Sequence, residues 1–189
     1  MNFLCGFAPL RETMFVCPDP ALARRIRWLE NRLPALSGAP IRVEPKPGLR
    51  DRYGEVHAGS FLRGRCIAFN CQAREFPRIF VHEVFHFAWL RLGNPRRRSY
   101  ERLVEAELRG GARGELGWSA EWRKAALDRT DRLRRTRRWR EYCCESFCDT
   151  AAWLYAGRAV HDEFTLAAHW CERRRRWFAR AVGRNRLSI

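Results

Sequence analysis

The chain has 189 residues, 46% of them hydrophobic, including eight Trp and twelve Phe. That content excludes a disordered chain and fits one domain with a sizeable core. The formal net charge of +16 rests on 35 arginines against two lysines, Lys46 and Lys124, a positive field that keeps polyanions, whether nucleic acid or acidic protein, among the candidate partners.

Phe3 to Leu10 has no basic segment before it and no small-residue cleavage pattern, and it runs at once into Arg11 and Glu12; no signal peptide is expected. Nor does the chain hold a run of about 18 apolar residues that would serve as a membrane span. The eight cysteines form no CxxC pair, which excludes a zinc ribbon. A cytoplasmic protein with reduced, mostly buried thiols is expected.

Pro18 to Leu36 reads as a first helix, with Leu22, Ile26, Leu29 and Leu33 at helical spacing and Pro34 and Gly38 closing it. A strand-rich segment follows: Ile41 to Glu44 alternates, Pro45 to Gly48 breaks the run, and Gly54 to His57 and Phe61 to Asn70 offer further short extended stretches. Phe76 to Leu92 is apolar on every face and is therefore expected to be a central, buried helix, stopped by Gly93-Asn94-Pro95. Ser99 to Leu108 predicts another helix, N-capped by Ser99. Arg109 to Gly117, with four glycines, predicts a flexible connection without a phosphate-binding spacing. The remainder reads as helical: a segment from Ser119 through Trp122, Ala126 and Leu133 that runs into a basic stretch, Arg134 to Arg140, then an apolar helix from Glu141 to Ala156 ended by Gly157, and a last helix from Asp162 to Val182.

The chemistry concentrates in His82-Glu83-Val84-Phe85-His86. On a helix, residues four apart lie one above the other, so His82 and His86 can turn ring nitrogens to one metal ion. Glu83 sits about 100° around the helix, where its carboxylate suits activation of a metal-bound water rather than ligation. Burying two imidazoles and a carboxylate without partners is costly, so a buried position for this helix argues for a built site. A catalytic zinc takes three protein ligands and leaves a position for water. Glu145 and Asp149, one turn apart in an apolar helix, supply the arrangement that fits best: Glu145 on the metal, Asp149 holding the free ring N–H of one histidine. Cys144, Cys148, His161 and His169 are the alternative ligands. Free cysteines in apolar helices are more often core residues, and the two histidines read better as a capping and a packed or surface residue.

Three segments together resemble one family. Ile67-Ala68-Phe69-Asn70, Arg78 to Phe87 with its HEVFH, and Glu145 to Tyr155 resemble the ImmA/IrrE-like zinc metallopeptidases: a strand ending in asparagine, an HExxH helix, and a later helix with a ligand glutamate. The Glu145-x-x-x-Asp149 spacing is similar to that of glutamate zincins of the thermolysin type. The resemblance spans residues 60 to 156. It implies an α+β, zincin-like fold, with a mainly helical body and a small sheet from the N-terminal half beside the HExxH helix, and a cytoplasmic zinc endopeptidase acting on a limited protein target. Phe85, where those families often have glycine, and the long arginine-rich gap between His86 and Glu145 depart from the pattern.

The leading expectation is therefore a zinc peptidase of one domain over residues 1–189, with Zn2+ on His82, His86 and Glu145, Glu83 as general base, Asp149 in support, and a protein or peptide substrate. The strand Ile67 to Phe69 is expected to offer its edge to an extended substrate. Tyr142, Tyr155, His161 and His169 are candidates for stabilising the tetrahedral oxyanion. Two other classes stand beside it. One is a nucleic-acid-associated protein with a similar site, in the manner of SprT-like proteins: residues 123 to 140 hold nine Lys or Arg, and Arg173 to Arg176 precede Trp177, which predicts at least weak nonspecific nucleic-acid binding. The other is a catalytically degenerate, zincin-like interaction protein.

Overall fold

Helix α2 (Phe76–Arg91) is nearly all apolar outside its His-Glu-His set, and every residue from Ile79 to Phe85 is buried. A helix of that kind is stable only when covered on several sides. The computed structural model, which describes residues 13–51, 54–71, 73–183 and 186–189, covers α2 with a sheet and with a second long helix. Residues Phe3 to Leu10 lie outside the described residues.

In chain order the elements are β1 (Phe15–Val16), α1 (Pro20–Glu30), β2 (Leu36–Ser37), β3 (Ile41–Pro45), β4 (Arg50–Asp51), β5 (Gly54–Glu55), β6 (Ala58–Phe61), β7 (Cys66–Phe69), α2, α3 (Asn94–Arg109), α4 (Trp118–Ala125), α5 (Arg129–Arg134), α6 (Arg137–Tyr155), α7 (Ala168–Ala181) and β8 (Leu187–Ser188). The fold is mixed α+β. Its main sheet has the order β1-β3-β7-β6; β1, β3 and β7 run parallel, and β6 runs antiparallel to β7 in the register Ala58 to Phe69 through Phe61 to Cys66.

Strand β7 is buried at every position, as a continuous apolar run between two neighbours requires. The expectation that Ile67 to Phe69 offers a free edge is therefore corrected: β3 and β6 occupy both sides of β7, and among the described residues β6 is the edge strand on that side of the sheet and β1 on the other. A tight turn, with Arg65 at φ 46°, divides the stretch Phe61 to Asn70 that the sequence presents as one extended run.

Aromatic packing fixes α2 between its two layers. Phe76 and Phe80 stack on each other and meet Phe69 and Phe15 of the sheet, with centroids 4.9–5.5 Å apart for the Phe69–Phe76, Phe76–Phe80 and Phe15–Phe80 pairs. On the opposite side Phe85 packs against Phe147 and Tyr155 of α6 and Phe178 of α7. The bulk of Phe85 thus belongs to the α2–α6 contact, and truncating such a side chain would leave a cavity.

Several boundaries differ from the sequence expectation. Helix α1 ends at Glu30, and Leu36 pairs instead with Leu187 of β8. Helix α3 begins at Asn94, because Pro95 is tolerated in a first turn and Gly93, at φ 78°, turns the chain from one helix into the next. Ser99 is then inside α3, where its hydroxyl accepts from Trp177 Nε1. The connection from Arg109 to Gly117 is pinned rather than flexible. Glu115 within it is fully buried against Arg174, its carbonyl accepts from the amides of Thr165 and Leu166, and Lys124 Nζ donates to Gly114 O. Among the described residues no helix is long and apolar enough to cross a membrane.

Candidate metal centre

Helices α2 and α6 pass antiparallel, so that His82 meets Asp149 while His86, one turn on, meets Cys144. The distances define a compact set. His82 Nε2 lies 3.2 Å from His86 Nε2 and 3.2 Å from Glu145 Oε2, and His86 Nε2 lies 4.0 Å from the same carboxylate oxygen. Cys148, on the turn after Glu145, also faces this point: donor atoms of His82, His86 and Cys148 all lie within 4.8 Å of one another. This largely buried His-His-Cys group could hold a metal ion, and the Glu145 oxygen lies closer to both histidines than that limit.

Each histidine is held from behind. His82 Nδ1 is 2.7 Å from Asp149 Oδ1, and His86 Nδ1 is 3.5 Å from Cys144 Sγ. A hydrogen bond to one ring nitrogen fixes which nitrogen is left to face the centre. Asp149 is itself anchored, since its Oδ2 accepts from the amide of Ala120 in the first turn of α4. An aspartate in the second half of α6 is disfavoured by its own helix dipole, and the N-terminus of α4 supplies the compensating partner.

Burial works against charge on both imidazoles. Even so, Asp149 and Glu145 raise the pKa of His82 well above its ordinary value, and Cys144 and Glu145 raise that of His86 to about 9. Burial likewise opposes ionisation of Glu145, but His86, His82 and Arg123 pull its pKa down to about 2. The field at the centre therefore favours positive charge, and a cation competes there with protons. Cys148 differs in kind: burial, Cys144 and the neighbouring acids push its thiol well above the usual range.

Glu83 is buried, 8% exposed, and its carboxylate is held by the edge strand: Ser60 Oγ is 2.5 Å from Glu83 Oε2 and 2.9 Å from the Glu83 carbonyl. Helix α4 reaches the site through Arg123 as well as through the Ala120 amide. Arg123 Nη2 lies 3.4 Å from Glu145 Oε1, and its guanidinium covers the ring of Trp122, which packs against the exposed Trp118.

No family model, curated protein or solved structure matches this chain.

Glu141, one turn before Glu145, is on the surface, paired with Arg137 at 2.7 Å. The other sequence candidates fall elsewhere. Tyr142 is fully buried and donates to Glu115, so its hydroxyl is committed away from the centre. His161 bonds Glu75 through Nε2 and accepts the Glu163 amide at Nδ1. His169 is exposed against Trp170, and Tyr155 packs on Phe85 more than two turns beyond Glu145. Sequence reasoning missed Ser60, Arg123, the supporting role of Cys144 and the close approach of Gly117. A Cβ on Gly117 would stand 2.3–2.5 Å from the Asp149 carboxylate; its backbone is extended, so the constraint there is steric alone.

Gly117→Ala should therefore dislodge Asp149 from His82 and from the Ala120 amide. We expect metal affinity to fall about 10- to 100-fold, the scale of losing the outer partner of a ligand histidine, as measured by competition with a chelating dye.

Proposed function

We propose that the protein is a zinc-dependent peptidase whose metal ligands are His82, His86 and Glu145. The observation that carries the reading is the triangle of ligand atoms, with sides of 3.2, 3.2 and 4.0 Å. Ligands at the 2.0–2.1 Å bond lengths of tetrahedral zinc stand about 3.3 Å apart, so two sides fit and the third closes with a small rotation of the Glu145 carboxylate. Two neutral imidazoles and one carboxylate leave a fourth position open, the arrangement of catalytic rather than structural zinc. Bound there, zinc supplies a nucleophilic water at neutral pH and polarises a carbonyl.

The remaining work falls to the chain's own residues. Glu83 takes a proton from the attacking water and later returns it to the leaving amine. Ser60 keeps the Glu83 carboxylate in place in both of its states. It donates to Oε2 in either state, which leaves Oε1 as the oxygen that takes the proton and gives it up. Arg123, beside Glu145, is the cation available to stabilise negative charge on the substrate oxygen. Strand β6, which among the described residues pairs with β7 alone, carries Ser60 beside Glu83, and an extended peptide can add along its other edge as a further strand; Phe61 of β6 and Trp118 and Trp122 of α4 are exposed apolar side chains.

A second reading is favoured by one observation, the position of Cys148 in the metal-competent group. A fourth ligand from this thiol would close the site, and a closed site is structural; the chain would then be an interaction protein with a zincin-like core. The test is hydrolysis of unfolded protein substrates that a chelator abolishes and zinc restores. In the same assay Ser60→Ala should keep its zinc and lose turnover by about 10- to 100-fold, the range for a hydrogen bond to a charged group. Undiminished turnover would remove Ser60 from the mechanism.

A further inference from the structure

The basic runs of the chain are not absorbed by the metal centre, and two of them meet. Arg97 and Arg98 of α3, Arg135 at the end of α5 and Arg140 of α6 line a cavity of about 260 Å3, together with Asn94, Glu101 and Trp89. We propose that this cavity binds a phosphate group, independently of the peptidase reading.

Four arginines and one glutamate line the cavity. Arg135 is the arginine that pairs with Glu101, and it reaches Glu105 at 3.8 Å as well. Arg98 and Arg140 have no carboxylate partner among the described residues, and Arg140 donates to the Arg135 carbonyl at 2.9 Å. Arg97 Nη2 donates to Asn94 Oδ1 at 3.0 Å, while its Nε is buried without an acceptor. A concave surface of one charge sign concentrates potential and draws in counter-ions. The α3 N-terminus, where Gly93 caps with no side chain, adds the positive end of a helix dipole. Arginine forks match the oxygens of phosphate, several donors to one group. The volume exceeds that of a lone anion and leaves room for what the phosphate is attached to.

Isothermal titration of the full chain with inorganic phosphate, at ionic strength held constant with chloride, tests the assignment. One saturable site is expected, weakened at least about tenfold in Arg97→Gln and in Arg140→Gln. Arg129→Gln, which removes the same charge outside the cavity, should leave it nearly unchanged. His86→Ala should retain it, which separates the cavity from the metal centre. Should Arg97→Gln or Arg140→Gln fail to fold, Arg98→Gln, on an exposed side chain, takes its place. The source of the phosphate is read from a nucleoside monophosphate and an oligothymidylate: weakening of both by the cavity variants assigns a nucleic-acid backbone, and weakening of the monophosphate alone assigns a free nucleotide or phosphate. Absence of saturable binding, equal weakening in Arg129→Gln, or loss in His86→Ala would overturn the proposal.

Discussion

Glu83→Gln is expected to keep its zinc and to lose peptide hydrolysis by about 100-fold or more, the lower bound being the scale of general-base catalysis. The amide is nearly isosteric with the carboxylate and can still bond Ser60 Oγ, which lies 2.5 Å from Glu83 Oε2, so the fold and the edge strand should stay in place. What is lost is the capacity to take a proton. Steady-state rates on an unfolded substrate, with metal content measured on the same sample, separate this outcome from loss of the metal. Unchanged turnover with full zinc would remove Glu83 from the mechanism.

Arg174→Met is expected to cost about 3–5 kcal/mol of stability, the range for removing one partner of a buried ion pair. Arg174 has no exposed surface and bonds Glu107 at 2.7 Å and Glu115 at 2.7 Å. Lys124 reaches Glu115 at 3.4 Å and Tyr142 donates to it at 2.7 Å. Burial alone would raise the pKa of Glu115, but Arg174, Lys124 and Tyr142 hold it below the ordinary carboxylate range. Without the guanidinium two buried acids lose their main compensation, and Glu107 Oε1 already has no partner. For a chain of this length the thermal midpoint should fall by roughly 10 °C. Arg137→Ala, at an exposed pair with Glu141, should move it little. The cluster ties α7 to the segment that precedes α4, so its loss should also loosen the α4 amide that holds Asp149.

How far the sequence reads through to this arrangement depends on the range of the interaction. The HExxH helix is legible because its chemistry repeats at the helical period and its apolar faces demand burial on all sides. Glu145 and Asp149 are legible because acids one turn apart in an apolar helix call for partners, and the structure places both against His82. Ser60 is not legible: one serine in a short strand reads like any other until pairing with β7 sets it beside Glu83. Likewise the four glycines between Arg109 and Gly117 signal freedom, while the segment is fixed by a residue 59 positions away, Arg174 on Glu115. Strand order is a long-range property too, and Cys66 to Phe69 alone does not tell an edge from an interior position.

Glu145, rather than Cys148, is the residue proposed to complete the metal site. This assignment is tested by metal stoichiometry after exhaustive dialysis of Glu145→Ala beside Cys148→Ser. A carboxylate held near pKa 2 is a ready anionic ligand, whereas the Cys148 thiol must give up a proton against burial and neighbouring acids. About one zinc per chain is expected in Cys148→Ser and little or none in Glu145→Ala. Full zinc in Glu145→Ala together with loss in Cys148→Ser would contradict the assignment.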